Sequence, residues 1–437
     1  MRDFLSEDGV IFISIDDNEQ ANLRKICDEI FGIHNKIAEI VWEKMYTTKN
    51  DASHISMSHE YLFCYARDFA KCRLGLLPRT EEMDARYSNP DNDPRGDWKA
   101  IPLYAKGATK SGSFPITSPV TGKRHFPPAD SHWRYTVQTI ENMIRENRVW
   151  FGKDGASLPN TKRFLSEVQQ GTKPRSLWSY SEVGSNDSAK KEMREIFIEG
   201  DIFPFPKPST LIKRIIQIGT GPNDYVLDFF SGSAATAHAV MQLNAEDGGR
   251  RKFIMIQLPE SCTAESEAAK AGFKTICDIG KERVRRAGDK IKAEHATTAP
   301  NLDIGFRVLK VADTNMTDVY YNPSASEQKT LDGMQRNIKD DRTDLDLLFG
   351  CLLDWGLPLS LLHTSEKVNG FTLHDYNNGA MVACFDEKIS EETIIKIARK
   401  RPLRAVFRDV SFESDSGKTN VFEIFKALSP ATGVRVI

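Results

Sequence analysis

Tyr225-Val-Leu-Asp-Phe-Phe-Ser-Gly-Ser-Ala-Ala-Thr-Ala-His-Ala-Val240 is the stretch that decides the fold. Its first part, Tyr225 to Phe230, is rich in β-branched and aromatic residues and predicts a buried strand of a parallel sheet. Ser231-Gly-Ser233 ends that strand, and the small and apolar residues from Ala234 to Asn244 predict a helix packed closely against the sheet. A strand, a tight turn and a helix in this order place backbone N–H groups and a positive helix end where a nucleotide-like ligand binds.

The segment after this helix narrows the choice of ligand. Lys252-Phe-Ile-Met-Ile-Gln-Leu258 predicts the next strand, and Glu260 follows it at a position suited to ribose hydroxyls. These features fit NAD and S-adenosylmethionine alike. However, the turn lacks a full Gly-x-Gly-x-x-Gly, and Asp228-Phe-Phe-Ser-Gly-Ser-Ala234 resembles the Asp-x-Phe-x-Gly-Ser-Gly motif of amino-group DNA methyltransferases. The resemblance favours S-adenosylmethionine as the cofactor, with candidate ligands Asp228, Phe230, Ser231, Gly232, Ser233 and Glu260.

Length, charge and cysteine usage bound the class of protein. The 437 residues suffice for two or three domains, and the net charge of −2 indicates no partner by itself. The seven cysteines form no Cys-x-x-Cys pair, so neither a zinc site nor a disulfide framework is predicted, and a reducing cytoplasm fits. His54 and His59 lack further ligands at suitable spacing, and no apolar run approaches the length of a membrane span.

A basic, irregular interval occupies the middle of the chain. Between Trp98 and Tyr180 there are 13 Lys/Arg and 5 Asp/Glu, a net charge of +8, so the rest of the chain carries −10. Such an asymmetry is typical of a module that binds a polyanion. For the tryptophans of this interval, core packing is favoured over base contact. Double-stranded DNA is the expected partner of nine basic residues: Lys99, Lys106, Lys110, Lys123, Arg124, Arg134, Arg163, Lys173 and Arg175.

The start of the chain predicts three strands, at Gly9–Ile15, Ile37–Trp42 and Glu60–Ala66. Three segments overlap them: Asp8-Gly-Val-Ile-Phe-Ile-Ser-Ile-Asp-Asp-Asn-Glu19, Ile40-Val-Trp-Glu-Lys44 and His59-Glu-Tyr-Leu-Phe-Cys-Tyr-Ala-Arg67. They resemble the segments that follow the catalytic motif in the modification subunits of type III restriction-modification systems, which are β-class adenine-N6 DNA methyltransferases. The resemblance implies an α/β fold: a Rossmann-like S-adenosylmethionine-dependent methyltransferase sheet with an inserted irregular target-recognition domain. It also implies a homodimer and a helicase-nuclease restriction subunit as partner.

One departure from that family is large. Amino-methyltransferases of this class carry Asp-Pro-Pro-Tyr on the strand before the one at Val10–Ile15, and the tetrapeptide occurs nowhere in these 437 residues. In that class of enzymes, the loop that carries the tetrapeptide holds the target amino group and stacks on the flipped base. We therefore expect an amino-terminally truncated chain, with an incomplete sheet and no catalytic residue.

The resemblance also suggests how the chain is divided. We expect the first part of the methyltransferase core at 1–75, the target-recognition domain at 76–202, the cofactor-binding part of the core at 203–295 and a small C-terminal α/β domain at 302–437. In the last of these, the segments that predict strands are Phe306–Val311, Phe371–His374, Met381–Phe385, Ala405–Arg408 and Val434–Ile437. Relatives imply a role in subunit assembly for this domain.

Two short motifs leave alternatives open. In relatives, a Lys-Pro-Ser/Thr segment lies beside the methionine part of the cofactor, which makes Lys207, Ser209 and Thr210 candidate ligands of its carboxylate. A plain N-cap is an equally good interpretation of Ser209. A later predicted helix carries the basic run Lys281-Glu-Arg-Val-Arg-Arg286. A solvent-exposed face and a phosphate-contacting face are equally good interpretations of this run.

The sequence as a whole predicts the modification subunit of a type III system, a site-specific adenine-N6 DNA methyltransferase that is inactive without its catalytic motif. The alternative is a DNA-binding or assembly fragment that complements a separate catalytic amino-terminal piece. A nicotinamide-linked oxidoreductase has only the strand, turn and helix and Glu260 in its favour.

Overall fold

The computed structural model describes residues 2–48, 54–107, 109, 112–317 and 337–437. The chain forms two compact units, Met1–Ile304 and Gly305–Ile437. Lys110, one of the basic residues expected at DNA, lies outside the described residues. Within the described ranges, no helix combines the length and the apolar character needed to cross a membrane.

The first unit contains thirteen strands and nine α-helices in its described residues. Its strands are β1 (Val10–Ile15), β2 (Lys36–Glu43), β3 (His59–Ala66), β4 (Trp98–Pro102), β5 (Tyr104–Lys106), β6 (Ile116–Thr117), β7 (Arg124–His125), β8 (Ser131–Trp133), β9 (Val149–Trp150), β10 (Asn160–Phe164), β11 (Leu177–Trp178), β12 (Tyr225–Asp228) and β13 (Lys252–Met255). Its helices are α1 (Gln20–Phe31), α2 (Glu81–Asp84), α3 (Val137–Arg145), α4 (Tyr180–Val183), α5 (Asn186–Ile196), α6 (Ser209–Gly219), α7 (Ala235–Asp247), α8 (Glu267–Lys270) and α9 (Ile276–Glu294).

The three amino-terminal strands and the later strand β11 form one sheet in the order β1-β3-β2-β11. Strand β3 is antiparallel to both of its neighbours, while β11 runs parallel to β2 and sets Trp178 beside Trp42. Both indoles are almost fully buried, in a cluster with Leu62 and with Leu211 of α6. The strands predicted at Val10–Ile15 and at the two segments around Trp42 and Leu62 are confirmed.

Strands β12 and β13 form a separate parallel pair. Helices α6 and α7 cover one face of it, where Val226 and Phe253 pack against Ile216 and Val240. The other face is apolar and open. Its side chains are between 37% and 59% exposed: Tyr225, Leu227, Ile254 and Ile256. The prediction of a buried strand is therefore wrong for this face, because no described residue covers it.

Helix α6 connects the two sheets. Leu211 and Ile218 on one side of the helix pack with the Trp42 cluster of the first sheet, and Ile216 on another side packs against α7. The carbonyl of Ile218 also accepts a hydrogen bond of 2.7 Å from the Gly75 amide. The helix thereby fixes the first sheet relative to the parallel pair.

The basic interval folds into small sheets rather than one large one. Strands β4, β10 and β9 form a three-stranded antiparallel sheet, and β5-β8 and β6-β7 form two-stranded ones. Their core contains Leu103, Trp133, Ile140 and Phe151. Trp98, Trp133 and Trp178 are buried and Trp150 is half-buried, in line with core packing.

The second unit is a small α/β fold. Its five strands are adjacent in sheet order: β14 (His363–Val368), β15 (Phe371–Tyr376), β16 (Met381–Cys384), β17 (Arg404–Phe407) and β18 (Gly433–Val436). Helices α11 (Glu391–Arg399) and α12 (Asp415–Leu428) cover one face, and α10 (Asp344–Asp354) covers the other.

One predicted strand of this unit is wrong. Phe306–Val311 forms no strand: the apolar side chains of Val308, Leu309 and Val311 are exposed instead of packed on a sheet. The side chain of Arg307 donates hydrogen bonds to the carbonyls of Leu359 and Leu361. The other four predicted strands are confirmed with small changes of boundary.

The turn before α7 depends on two left-handed residues. Gly232 has φ of 48°, and Ala234, which precedes the helix, has φ of 60°. A residue with a Cβ pays roughly 1–2 kcal/mol for this conformation, whereas Gly adopts it freely.

We expect Ala234→Gly to raise the free energy of unfolding by about 1 kcal/mol, because it removes that strain. Gly248→Ala, at the opposite end of the same helix, is the matched control: its φ is 71° and a Cβ there meets open space, so only the backbone penalty acts. Gly248→Ala should lower the free energy of unfolding by a similar amount. Denaturant unfolding measures both changes, and a less stable Ala234→Gly protein would contradict the account.

Candidate cofactor-binding site

The carboxylate of Asp228 closes the turn between β12 and α7. Its Oδ1 accepts a hydrogen bond from the Phe230 amide at 3.2 Å, and its Oδ2 accepts one from the Thr236 hydroxyl at 2.6 Å. Because both oxygens are bonded inside the protein, Asp228 acts first as a structural link between the strand end and the helix start. The strand ends at this residue, two positions earlier than the sequence pattern predicts.

The backbone amides of the turn also have partners. The Ser231 amide donates to the Ile256 carbonyl at 3.2 Å, and the Gly232 amide donates to Oε1 of Gln257 at 2.7 Å. Gln257 was missed by the sequence reasoning, although a polar residue at the end of an apolar strand was the available signal. A ligand that uses the Gly232 amide has to replace the Gln257 side chain.

Two exposed groups flank the turn. The ring of Phe230 is 81% exposed, and its centroid lies 5.2 Å from that of the Phe229 ring. The carboxylate of Glu260 is exposed and has no hydrogen-bond partner in the described part of the chain. An aromatic face and a carboxylate are the groups that bind a heterocyclic base and vicinal hydroxyls.

Helix α9 passes close to the turn at Gly280, where a Cβ would be in ordinary van der Waals contact with it. A Cβ at this position would lie 3.4 Å from the Gly232 carbonyl oxygen and 3.5 Å from the Cβ of Ala234. The basic run around it is not a free phosphate-binding face: Arg283 is fully buried, and Arg286 forms ion pairs with Glu199 and Glu282.

The segment Lys207–Thr210 lies at the start of α6, and its polar groups are engaged within the protein. Lys207 pairs with Glu60, and its ammonium lies 5.1 Å from the centroid of the Trp42 ring. Burial raises the pKa of Glu60, but the charges of Lys207 and Lys44 outweigh burial and leave the pKa lowered. Thr210 donates its hydroxyl hydrogen to the Val183 carbonyl at 2.6 Å.

Ser209 is not the N-cap. Pro208 occupies that position, and Ser209 is the first residue of the helix, with its amide 3.0 Å from Oε2 of Glu192. The proline fixes φ near the value that a helix start needs and has no N–H of its own to satisfy. The N-cap interpretation of Ser209 is therefore wrong.

Of the basic residues expected at DNA, those that the structure describes lie on the surface of the basic interval. Most are exposed: Lys106, Lys123, Arg124, Arg134, Arg163, Lys173 and Arg175. Lys99 is half-buried over the Tyr87 ring, and Arg175 forms an ion pair with Glu182 at 3.3 Å. Lys99 and Arg163 are directly opposite each other on β4 and β10. Two like charges in this arrangement repel, so an anion bound over them would relieve the strain.

Among the described residues, no group of three or more His, Cys, Asp or Glu side chains is placed to hold a metal ion. All seven cysteines are free.

The fold and the turn define an α/β protein with a strand–turn–helix unit of the kind that binds nucleotide-like ligands. The chain belongs to the DNA methylase family, whose model matches residues 1–268. This range contains β1 to β13, including both flanking groups of the turn.

The chain is 36% identical over 338 residues to the Mod subunit of the type III restriction-modification enzyme StyLTI from Salmonella typhimurium, covering 76% of this chain and 48% of that protein. The Mod subunit of EcoPI from Escherichia phage P1 is 28% identical over 452 residues, covering 94% of this chain and 67% of that protein. The type II methyltransferase M.KpnI from Klebsiella pneumoniae is 30% identical over 311 residues, covering 65% of this chain and 70% of that protein. The chain thus spans about half the length of the Salmonella relative.

Among solved structures, the M1.HpyAVI–SAM complex is matched with a TM-score of 0.27 and 14% identity, over 64% of this chain and 77% of that chain. A similarity at this level adds nothing to the family match.

Proposed function

We propose that this chain binds S-adenosylmethionine at the turn from Asp228 to Ala234 and serves in the modification subunit of a type III restriction-modification system, an adenine-N6 DNA methyltransferase that is inactive without the Asp-Pro-Pro-Tyr motif. One observation carries the proposal. In a chain of the DNA methylase family, the exposed ring of Phe230 and the exposed carboxylate of Glu260 flank a strand–turn–helix unit at the ends of two parallel strands.

The residues present fit this cofactor. Phe230 would stack on the adenine, Glu260 would accept hydrogen bonds from the ribose hydroxyls, and Ser231 to Ser233 would line the turn beneath them. Lys207, Ser209 and Thr210 would face the methionine end. When bound, the cofactor supplies the methyl group. The residues of the chain bind and orient it, and the apolar side chains near the turn exclude water.

The middle segment is proposed to bind duplex DNA. The net charge of +8 between Trp98 and Tyr180 supports it, as does the opposition of Lys99 and Arg163 on neighbouring strands. We keep the division into core parts at 1–75 and 203–295, a target-recognition domain at 76–202 and a C-terminal domain at 302–437 as part of the proposal. The relatives are named as subunits of type III restriction-modification enzymes, which supports a restriction subunit as partner. A homodimer, a helicase-nuclease activity of that partner and a cytoplasmic location complete the proposal and rest on the family resemblance.

A second candidate function rests on the missing tetrapeptide. Without Asp-Pro-Pro-Tyr, no residue among the 437 is assigned to hold the target amine. The chain would then be a DNA-binding or assembly fragment that needs a separate polypeptide with that motif. The open apolar face of β12 and β13, with Tyr225, Leu227 and Ile254 exposed, favours this alternative because such a face suits a further packed segment.

Methyl transfer separates the two functions. We expect the 437-residue chain, incubated with labelled S-adenosylmethionine and mixed-sequence duplex DNA, to incorporate no label. Incorporation restored by a polypeptide that carries Asp-Pro-Pro-Tyr would support the complementing fragment, whereas no restoration would support the modification subunit that is inactive alone. Robust transfer by the chain alone would show that other residues hold the amine.

Cofactor affinity tests the turn. We expect Phe230→Ala to weaken binding of S-adenosylhomocysteine by about 5-fold or more, because stacking of a base on an aromatic ring contributes about 1–3 kcal/mol. Phe422→Ala, which removes another exposed ring, in the second unit, should leave the affinity unchanged. Calorimetric titration measures both, and binding of NAD in place of S-adenosylhomocysteine would support an oxidoreductase instead.

The DNA site is tested by reversing two charges. Lys99→Glu with Arg163→Glu should weaken binding to a mixed-sequence duplex by about 10-fold or more and lower the salt slope by about two. Lys25→Glu with Lys367→Glu changes the net charge equally at exposed positions outside the basic interval and is the matched control. Fluorescence anisotropy across a salt series measures both, and equal effects in the two proteins would place the DNA elsewhere.

A further inference from the structure

Three ionisable side chains from three helices meet beneath the turn: Arg283 of α9, Glu192 of α5 and His238 of α7. Arg283 is fully buried, and its Nη2 lies 3.2 Å from Oε1 of Glu192. Nδ1 of His238 lies 2.8 Å from the same carboxylate oxygen. An ionised carboxylate can only accept hydrogen bonds, so Nδ1 of His238 carries the hydrogen and donates it to Glu192.

This network reaches the turn through Arg283. Its Nη1 donates to the Ser233 hydroxyl at 2.8 Å and lies 3.3 Å from the Ser233 carbonyl oxygen. The Nε of the same guanidinium is buried without a hydrogen-bond partner in the described part of the chain. The guanidinium is thus placed for its contacts with Ser233 and Glu192, even though one of its own donors is left unsatisfied.

The same network reaches the start of α6 through Glu192. Its second oxygen, Oε2, accepts the hydrogen bond from the Ser209 amide. Burial raises the pKa of Glu192, but His238 and Arg283 outweigh it and lower the pKa to about 2. The carboxylate of Glu192 is therefore ionised at neutral pH. It binds the Ser209 amide directly and is linked to Ser233 through Arg283. Ser209 and Ser233 lie 24 residues apart in the sequence.

Stability alone is a poor reason for such a network. Buried ion pairs repay their desolvation only with good geometry, and apolar side chains of similar volume are often equally or more stabilising. Here the charges are buried where both proposed cofactor-facing segments converge. We propose that Glu192 and Arg283 are positioning residues for the cofactor: they set Ser233 of the turn and Ser209 of the methionine-side segment at a fixed relative position.

This inference rests on the proposed function and adds two residues to its site that no sequence pattern assigned to the cofactor. It also assigns a role to α5, which lies near the end of the proposed target-recognition domain at 76–202. Further ion pairs join this part of the chain to α9, namely Lys290 with Glu195 at 3.1 Å and Arg286 with Glu199 at 2.8 Å. Both are more exposed than the Glu192 pair and serve as internal references.

The test compares Glu192→Gln with a matched control, Glu195→Gln. Both substitutions remove a negative charge from α5 that pairs with a basic residue of α9. We expect Glu192→Gln to weaken S-adenosylhomocysteine binding by about 10-fold or more, since a hydrogen bond between charged groups contributes about 1.5–3 kcal/mol. Glu195→Gln should change the affinity less than about twofold. Arg283→Lys, which retains the charge but not the fork of two donors, should resemble Glu192→Gln.

A second measurement does not require the cofactor. Amide hydrogen exchange in Glu192→Gln should accelerate in residues 230–236 and 209–212 and remain unchanged in the β4-β10-β9 sheet. Faster exchange throughout the first unit, or unchanged cofactor affinity in a Glu192→Gln protein that exchanges normally, would overturn the inference. A wild-type chain that binds no S-adenosylhomocysteine would refute the proposed function, and the exchange pattern would still decide whether Glu192 sets the two segments.

Discussion

The first unit depends on a turn closed by one carboxylate. Strand β12 has to give way to helix α7 within the six residues from Phe229 to Ala234, and Asp228 holds both ends of that turn. Helix α7 is then buried along almost its whole length, between α6 and α9 and against the parallel strands. Because α6 also packs on the first sheet, the position of both sheets follows from this turn.

The elements of the chain were largely predictable from local patterns, whereas their environment was not. The apolar run from Tyr225 to Leu227 predicts a strand, but such a run cannot reveal that one of its faces is uncovered. Glu192 and Arg283 are 91 residues apart, and neither stands out in its own segment. Arg283 lies within a basic run that suggests solvent or phosphate, and only the packing of α9 beneath the turn buries it.

In the basic interval from Trp98 to Tyr180, strand β10 carries a neutralised charge on its buried face and a second charge on its outer face. On β10, Lys162 points inward and is fully buried, paired with Asp91 and Asp93. Its neighbour Arg163 points outward beside Lys99, and neither of these two forms an ion pair within the described residues. The inner charge is neutralised and stabilises the module, while the outer charges remain available to a polyanion. Composition predicted the basic character, and the strand register shows which side carries it.

The most direct test of the central claim is to locate the cofactor on the chain. Ultraviolet cross-linking of methyl-labelled S-adenosylmethionine, followed by trypsin digestion, should place the label on the peptide from Ile215 to Arg250, which contains the turn and both of its phenylalanines. Label confined to a peptide of the second unit, or to the basic segment before α5, would contradict the account.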